Sequence, residues 1–383
     1  MERVRKAMAA LAVFGLLVTG CSNASDKGAA GGPHPSVPGL VLYGIGVSTD
    51  PYGSSAQLGF GVVSRLGEGD SANVEVRGDS WCPERASWLS SGRLLVPERG
   101  PRGACTRQVI FRYDAGRLVR VGVLALGKAA SAWAFALSPD EKLVADEPSV
   151  PCCSGGQRPA GIIFVARADG SRRHEVARGH LAGWAPDGRL LSSTGLLYDL
   201  IPGDFLALDL ASGRTELVLS SRRVARRAGV PKAEVGSPVW SSDRRFYAAR
   251  TVLTRPEARR PLSAVVIAEG DGKIIQLLRS RYEISMLAWS ATGRRLAYTT
   301  SGFPAPHEVF VVDRPDAQPR RIFTTTRHFD WITWSPIGRW LLLDDEHAGK
   351  WQLFDASAGT VRALPRLGGR PLWCCPQNKF SGR

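Results

Sequence analysis

The chain has 383 residues, with 50 Lys and Arg against 35 Asp and Glu, for a formal net charge of +15. Of the basic residues 42 are Arg and 8 are Lys, a skew that a GC-rich coding sequence produces without any function, so the charge alone does not identify an anionic partner. Nucleic acid is not an expected partner, because an exported protein rarely meets it.

The chain starts MERVRKAMAALAVFGLLVTGC. Arg3, Arg5 and Lys6 precede an apolar run from Ala7 to Val18, and Val18-Thr19-Gly20-Cys21 follow. The run is too short to span a bilayer and has the layout of a secretory signal. Its last four residues resemble a bacterial lipobox, which implies lipidation at Cys21 and a mature chain that begins there. Loss of residues 1–20 lowers the net charge to +13. Residues 21–38 are rich in Gly, Ala, Ser and Pro and read as a flexible tether reaching roughly 20–25 Å. Residues 39–383 are long enough for a large core.

Six stretches of this remainder align: "ASWLSSGRLLV" at Trp88, "FALSPDEKLVA" at Leu137, "AGWAPDGRLLS" at Trp184, "PVWSSDRRFYA" at Trp240, "LAWSATGRRLAY" at Trp289 and "ITWSPIGRWLLL" at Trp334. The anchors are 49, 47, 56, 49 and 45 residues apart. Each unit predicts a short strand ending in Trp or Leu, a Ser-Pro-Asp-Gly-type turn, and three further strands. One four-stranded sheet cannot bury both of its faces alone, so neighbours must stack. About 45 residues per unit is the blade size of a β-propeller. The phrase "WSPDGR" followed by an apolar strand resembles the TolB-type propeller repeat, a relative of the WD-repeat propellers. The departures are Leu137 for Trp, Ser90-Ser91 for Pro-Asp, and Ile337 for the turn Asp.

A further anchor, Trp373 in "PLWCCP", has no later strands of its own. Three strands predicted at Leu40–Val47, Leu58–Arg65 and Ala72–Gly78 would complete it. The fold class is therefore all-β, a seven-bladed propeller closed by strands from both termini, with six blades and a decorated N-terminus as the alternative. Closure removes sheet edges that would otherwise invite aggregation.

Propeller geometry sorts the remaining candidates by face. Cys82 and Cys105 fall on one face within bridging distance and form the predicted disulfide. Cys152-Cys153 and Cys374-Cys375 lie on opposite faces, each a strained vicinal disulfide or a reduced pair. Counting four residues back from the anchors brings Glu84, His180 and Asp330 to the channel mouth, where they would bind a cation or polar ligand or else stand as solvated rim residues. The interval before Trp240 holds "SSRRVARRAGVPKAEVGS", read as a charged loop in which Arg222, Arg223, Arg226 and Arg227 meet an anionic partner or water. On the opposite face the turns place Arg93, Arg189, Arg244, Arg245, Arg294, Arg295 and Arg339, either an anionic-membrane surface or repeat grammar.

G-x-S-x-G, H-E-x-x-H, G-x-G-x-x-G and P-loop motifs are absent, and the blades leave no room for a hydrolase domain. The sequence therefore predicts a monomeric, lipid-anchored, extracytoplasmic binding or scaffold module for an envelope protein or anionic ligand, with no catalytic residue, metal or cofactor. The competing class is a propeller hydrolase or lactonase using a metal at the channel mouth.

Overall fold

The structure, a computed structural model, describes the strands at 40–47, 55–62, 71–74, 87–88, 93–99, 105–114 and 117–124. It then describes residues 132–148, 161–194, 203–255, 261–302, 306–326, 329, 331–335, 337–345, 350–365 and 372–373. In chain order β1 (Leu40–Val47), β2 (Ser55–Val62) and β3 (Ser71–Val74) come first. Next are β4 (Ser87–Trp88), β5 (Arg93–Arg99), β6 (Cys105–Asp114) and β7 (Arg117–Leu124), then β8 (Ala132–Leu137), β9 (Leu143–Pro148), β10 (Ile162–Arg167) and β11 (His174–Arg178). The fourth group is β12 (His180–Trp184), β13 (Leu190–Ser193), β14 (Phe205–Leu208) and β15 (Thr215–Leu219). A helix, α1 (Ser221–Ala228), precedes β16 (Lys232–Trp240), β17 (Phe246–Thr254), β18 (Leu262–Glu269) and β19 (Ile274–Ser280). The chain continues through β20 (Glu283–Trp289), β21 (Leu296–Ser301), β22 (His307–Val312), β23 (Arg320–Thr325), β24 (Trp331–Trp334), β25 (Trp340–Asp345), β26 (Lys350–Asp355), β27 (Thr360–Pro365) and β28 (Leu372–Trp373).

Six four-stranded sheets are each built from consecutive strands, β4–β7, β8–β11, β12–β15, β16–β19, β20–β23 and β24–β27. A further four-stranded sheet has the order β28-β1-β2-β3 and joins the two ends of the chain, with Val41 opposite Trp373 and Leu42 opposite Leu372. The pairs are antiparallel throughout, and the first strands of successive sheets neighbour one another in space, β8 with β12, β16 with β20 with β24, and β24 with β28. The fold is a β-propeller. Relative to the strands predicted from sequence, β2 lies three residues earlier and β3 is shorter.

The β16–β19 sheet is covered on both faces, which its middle strand shows directly: Ala264, Val265, Val266, Ile267 and Ala268 of β18 are all fully buried. Such strands read as continuous apolar runs because neither face meets water. The hairpin after the first strand is held by one serine in four of the sheets. Ser138, Ser241, Ser290 and Ser335 each accept at Oγ from the backbone N–H five residues on, at 2.9–3.0 Å. Ser138 and Ser241 also donate to Asp140 and Asp243 at 2.7 and 2.6 Å. Three residues after the serine the backbone turns left-handed, with φ of 59° at Glu141, 65° at Arg244, 70° at Gly293 and 69° at Gly338. This is the physical content of the Ser-Pro-Asp-Gly phrase.

The recurrent tryptophans bind one sheet to the next. Nε1 of Trp184 donates to the carbonyl of Ala136, Trp289 to Val239, Trp334 to Ala288 and Trp373 to Thr333, at 2.8–3.2 Å. Each acceptor is the residue just before the preceding anchor, on the strand edge that no other strand pairs. Every indole thus caps an orphan edge carbonyl and packs its ring into the seam.

Trp240 is the exception. Its Nε1 is buried without a partner, and its ring instead packs against Tyr247 at 5.0 Å. Helix α1 accounts for this. Val224, Ala225 and Ala228 enter one core cluster with Phe205, Leu219, Tyr247 and Val266, so the helix is wedged between the fourth and fifth groups of strands. The wedge also accounts for the longest interval in the repeat.

Candidate functional site

Of the three residues predicted at the channel mouth, Glu84 and Asp330 lie outside the described residues. His180 is described and is neither a solvated rim residue nor an open ligand. It is 8% exposed, and its Nδ1 meets Glu147 Oε1 at 2.8 Å, while Glu147 Oε2 accepts the Leu181 N–H at 2.8 Å. Glu147, 5% exposed, sits on β9 and His180 on β12, so the pair ties two sheets together. Gly161 makes room for it, since a Cβ there would lie 2.2 Å from Glu147 Oε1. Sequence spacing from the anchors located His180 but carried no signal of its partner on a neighbouring sheet. Among the described residues no group of three or more His, Cys, Asp or Glu is arranged to hold a metal ion. Cys21 and Cys82 lie outside the described residues, and Cys105 opens β6.

The segment predicted as a charged loop is a helix followed by a strand. Gly229 ends α1 in the left-handed conformation at φ 63°, its N–H reaching back to Ala225 and Arg226 carbonyls. Arg223 is exposed, but one of its donors, Nη1, is spent on the Gly272 carbonyl at 3.0 Å and ties the helix to the neighbouring turn. Arg279 Nη2 donates to the Ala228 carbonyl at 2.7 Å and holds the other end. Arg222, Arg226 and Arg227 are exposed, and among the described residues no acid pairs with them. Spacings of four place Arg222 beside Arg226 and Arg223 beside Arg227, repulsions worth about 0.2–0.5 kcal/mol each. The helix is firmly seated by its apolar face despite them.

The turn arginines on the opposite face are mostly engaged within the molecule. Arg93 pairs with Glu141. Arg189 pairs with Asp187 and with Glu216, both at 2.7 Å. Arg244 donates to the Pro186 carbonyl, Arg245 lies over the Phe246 ring, and Arg295 reaches Asp313 and the Gly338 carbonyl at 3.2 and 3.1 Å. Arg339 makes a two-pronged pair with Asp355 at 3.1 and 2.7 Å. Arg294 is exposed. These contacts give the basic ring an internal role in locking turns and seams.

Sequence reasoning missed a cavity of about 620 Å³ between the first strands β16, β20 and β24. Trp240, Trp289, Trp331 and Trp334 form much of its wall, and Arg250 of β17 is the charged side chain among its lining residues. Arg250 Nη1 donates to the Ser285 carbonyl at 2.9 Å, across the seam. β-bulges at Gly236–Ser237 and at Ser285 bend the two first strands where the guanidinium crosses.

No family model and no curated protein matches the chain. Solved structures do. The periplasmic gluconolactonase PpgL of Pseudomonas aeruginosa aligns with a TM-score of 0.51 at 18% identity, over 88% of this chain and 99% of that one. A candidate 6-phosphogluconolactonase from Bacteroides uniformis aligns with a TM-score of 0.52 at 11% identity, over 87% and 98%. A candidate TolB from Agrobacterium tumefaciens gives a TM-score of 0.43 at 14% identity, over 75% and 88%. At these identities the chain shares the fold of such proteins.

Proposed function

We propose that this chain is a lipid-anchored, extracytoplasmic propeller of seven blades that binds an envelope protein or anionic ligand without catalysis. Cys21 is the anchor, residues 21–38 the tether, and the β28-β1-β2-β3 sheet the blade that closes the ring. The observation that carries the binding role is α1, a helix fixed by its buried face and by Arg223 and Arg279, which presents Arg222, Arg226 and Arg227 with no acidic partner among the described residues. Guanidinium groups preorganised in this way favour carboxylate- or phosphate-rich surfaces. The tether and α1 also leave from opposite ends of the strands. Val41 pairs with Trp373 at the hairpin-turn end, whereas α1 joins β15 to the start of β16. A membrane approached through the tether therefore leaves the α1 end of the strands open to a partner.

The competing reading is a propeller lactonase, to which two of the structural neighbours owe their names. Lactone opening needs a general base or a metal-activated water at the ligand. Among the described residues that line the cavity there is neither carboxylate nor imidazole, and Arg250 is the charged group they supply.

Two experiments test this reading. Crosslinking of the full chain in its native envelope, compared with the Arg222→Glu, Arg226→Glu, Arg227→Glu variant, is expected to lose a specific adduct; identical adducts from both would overturn the role of α1. Cys21→Ser is expected to release the protein from membranes on detergent-free washing, since stable anchoring requires the acyl chains. Equal retention of that variant would remove the anchor.

A further inference from the structure

The cavity between β16, β20 and β24 has a chemistry that restricts its occupant. Arg250 is half-buried, and among the described residues no carboxylate faces it. Its one hydrogen bond, to the Ser285 carbonyl, uses a single donor of the five that a guanidinium carries. A cation partly withdrawn from water and lacking a counter-charge is costly unless an anion or ordered solvent completes it. Three serine hydroxyls around it are already bonded within the protein. Ser242 Oγ donates to the Ser290 and Ala291 carbonyls, Ser285 Oγ is bonded to Thr299 Oγ1 at 2.6 Å, and Ser290 Oγ accepts from the Arg295 N–H. The indole N–H groups of Trp289 and Trp334 are spent on seam carbonyls.

Among the described lining residues the groups that dominate the wall are therefore ring faces and one cation. A polyhydroxylated ligand would leave its hydroxyls unpaired there, at a cost in affinity for each. A planar apolar body would not. The volume falls within the range of small-molecule sites.

We propose that this cavity is a binding site for a small organic acid, whose carboxylate pairs with Arg250 and whose flat apolar body lies against the indoles of Trp240, Trp289 and Trp331. The site is separate from α1 and stands or falls independently of it. Because four indoles line the site, occupancy reports itself in intrinsic Trp fluorescence.

The test titrates the full chain with phenylacetate and, in parallel, with its neutral isostere phenylacetamide. Phenylacetate is expected to give a saturable fluorescence change that phenylacetamide does not give in the same range. Arg250→Gln should raise the phenylacetate Kd by about tenfold or more, Arg250→Lys by less, and the Arg222→Gln, Arg226→Gln, Arg227→Gln variant not at all. Equal responses to acid and amide, an absent saturable response, or an unchanged Kd in Arg250→Gln would each overturn the proposal. Should Arg250→Gln fail to fold, the acid–amide comparison on the natural chain and Arg250→Lys decide. A Kd raised equally by the α1 variant would locate the acid on the helix and refute the cavity.

Discussion

At the scale of single residues, the same side chain plays two parts. Trp334 gives its N–H to the Ala288 carbonyl, whereas the Trp240 N–H is buried with no acceptor. Replacing each by Phe keeps most of the ring and removes the donor. Trp334→Phe should cost about 1–2 kcal/mol, because an edge carbonyl is left unpaired. Trp240→Phe should stay within about 0.5 kcal/mol, since the lost N–H made no bond in the folded state. Urea unfolding of the two variants checks the contrast, and equal losses would contradict it. The Asp355 carboxyl offers a pH test. Burial pushes it up, but the two-pronged bond from Arg339 and the N–H groups of Ser357 and Ala358 outweigh burial and hold it below its ordinary value of 3.8. A carboxyl lowered by folding stabilises at pH above that ordinary value and loses the contribution as pH falls through the folded pKa. The urea midpoint should therefore drop below about pH 4, and Asp355→Asn should flatten that part of the drop while lowering the midpoint at neutral pH.

At the scale of the element, the turns show why the repeat is spelled as it is. Gly293 adopts φ 70°, and a Cβ there would lie 2.5 Å from Asp243 Cγ of the neighbouring turn. Gly188 adopts φ 89° with open space around it. Gly293→Ala should then cost more than Gly188→Ala, which carries only the conformational penalty of about 1 kcal/mol; thermal unfolding that ranks them the other way would contradict the packing of turn on turn. The hairpins were legible because Ser, Asp and Gly recur at fixed offsets and each does one physical task. Helix α1 was not, although its signs were present: Val224, Ala225 and Ala228 share one face and Gly229 follows. Four arginines among eight residues mask so short a stripe, and only the seam between two groups of strands gives that stripe something to cover.

At the scale of the whole molecule, the fold was readable because a period near 47 residues leaves few architectures. The candidate site was much less so. His180 was found by counting from an anchor, but its Glu147 partner comes from another sheet, and no periodicity links them. The cavity escaped notice for the same reason: Arg250 belongs to a second strand, and its position depends on bulges at Gly236–Ser237 and Ser285 that alternation does not encode. Trp373 was recognisable as a further anchor. Its bond to Thr333 and the pairing of Val41 with it make the last strand part of the same ladder as Trp184, Trp289 and Trp334.

The central claim is that the two chain ends close one ring, and its most direct measurement is cooperative urea unfolding of the chain with and without residues 372–383. Deletion removes a buried Trp, a seam hydrogen bond and the inner strand that pairs with β1. A loss on the order of 3–5 kcal/mol, or a broadened transition as the freed sheet unfolds early, is the predicted result. An unchanged midpoint and slope would show that the last strand closes nothing.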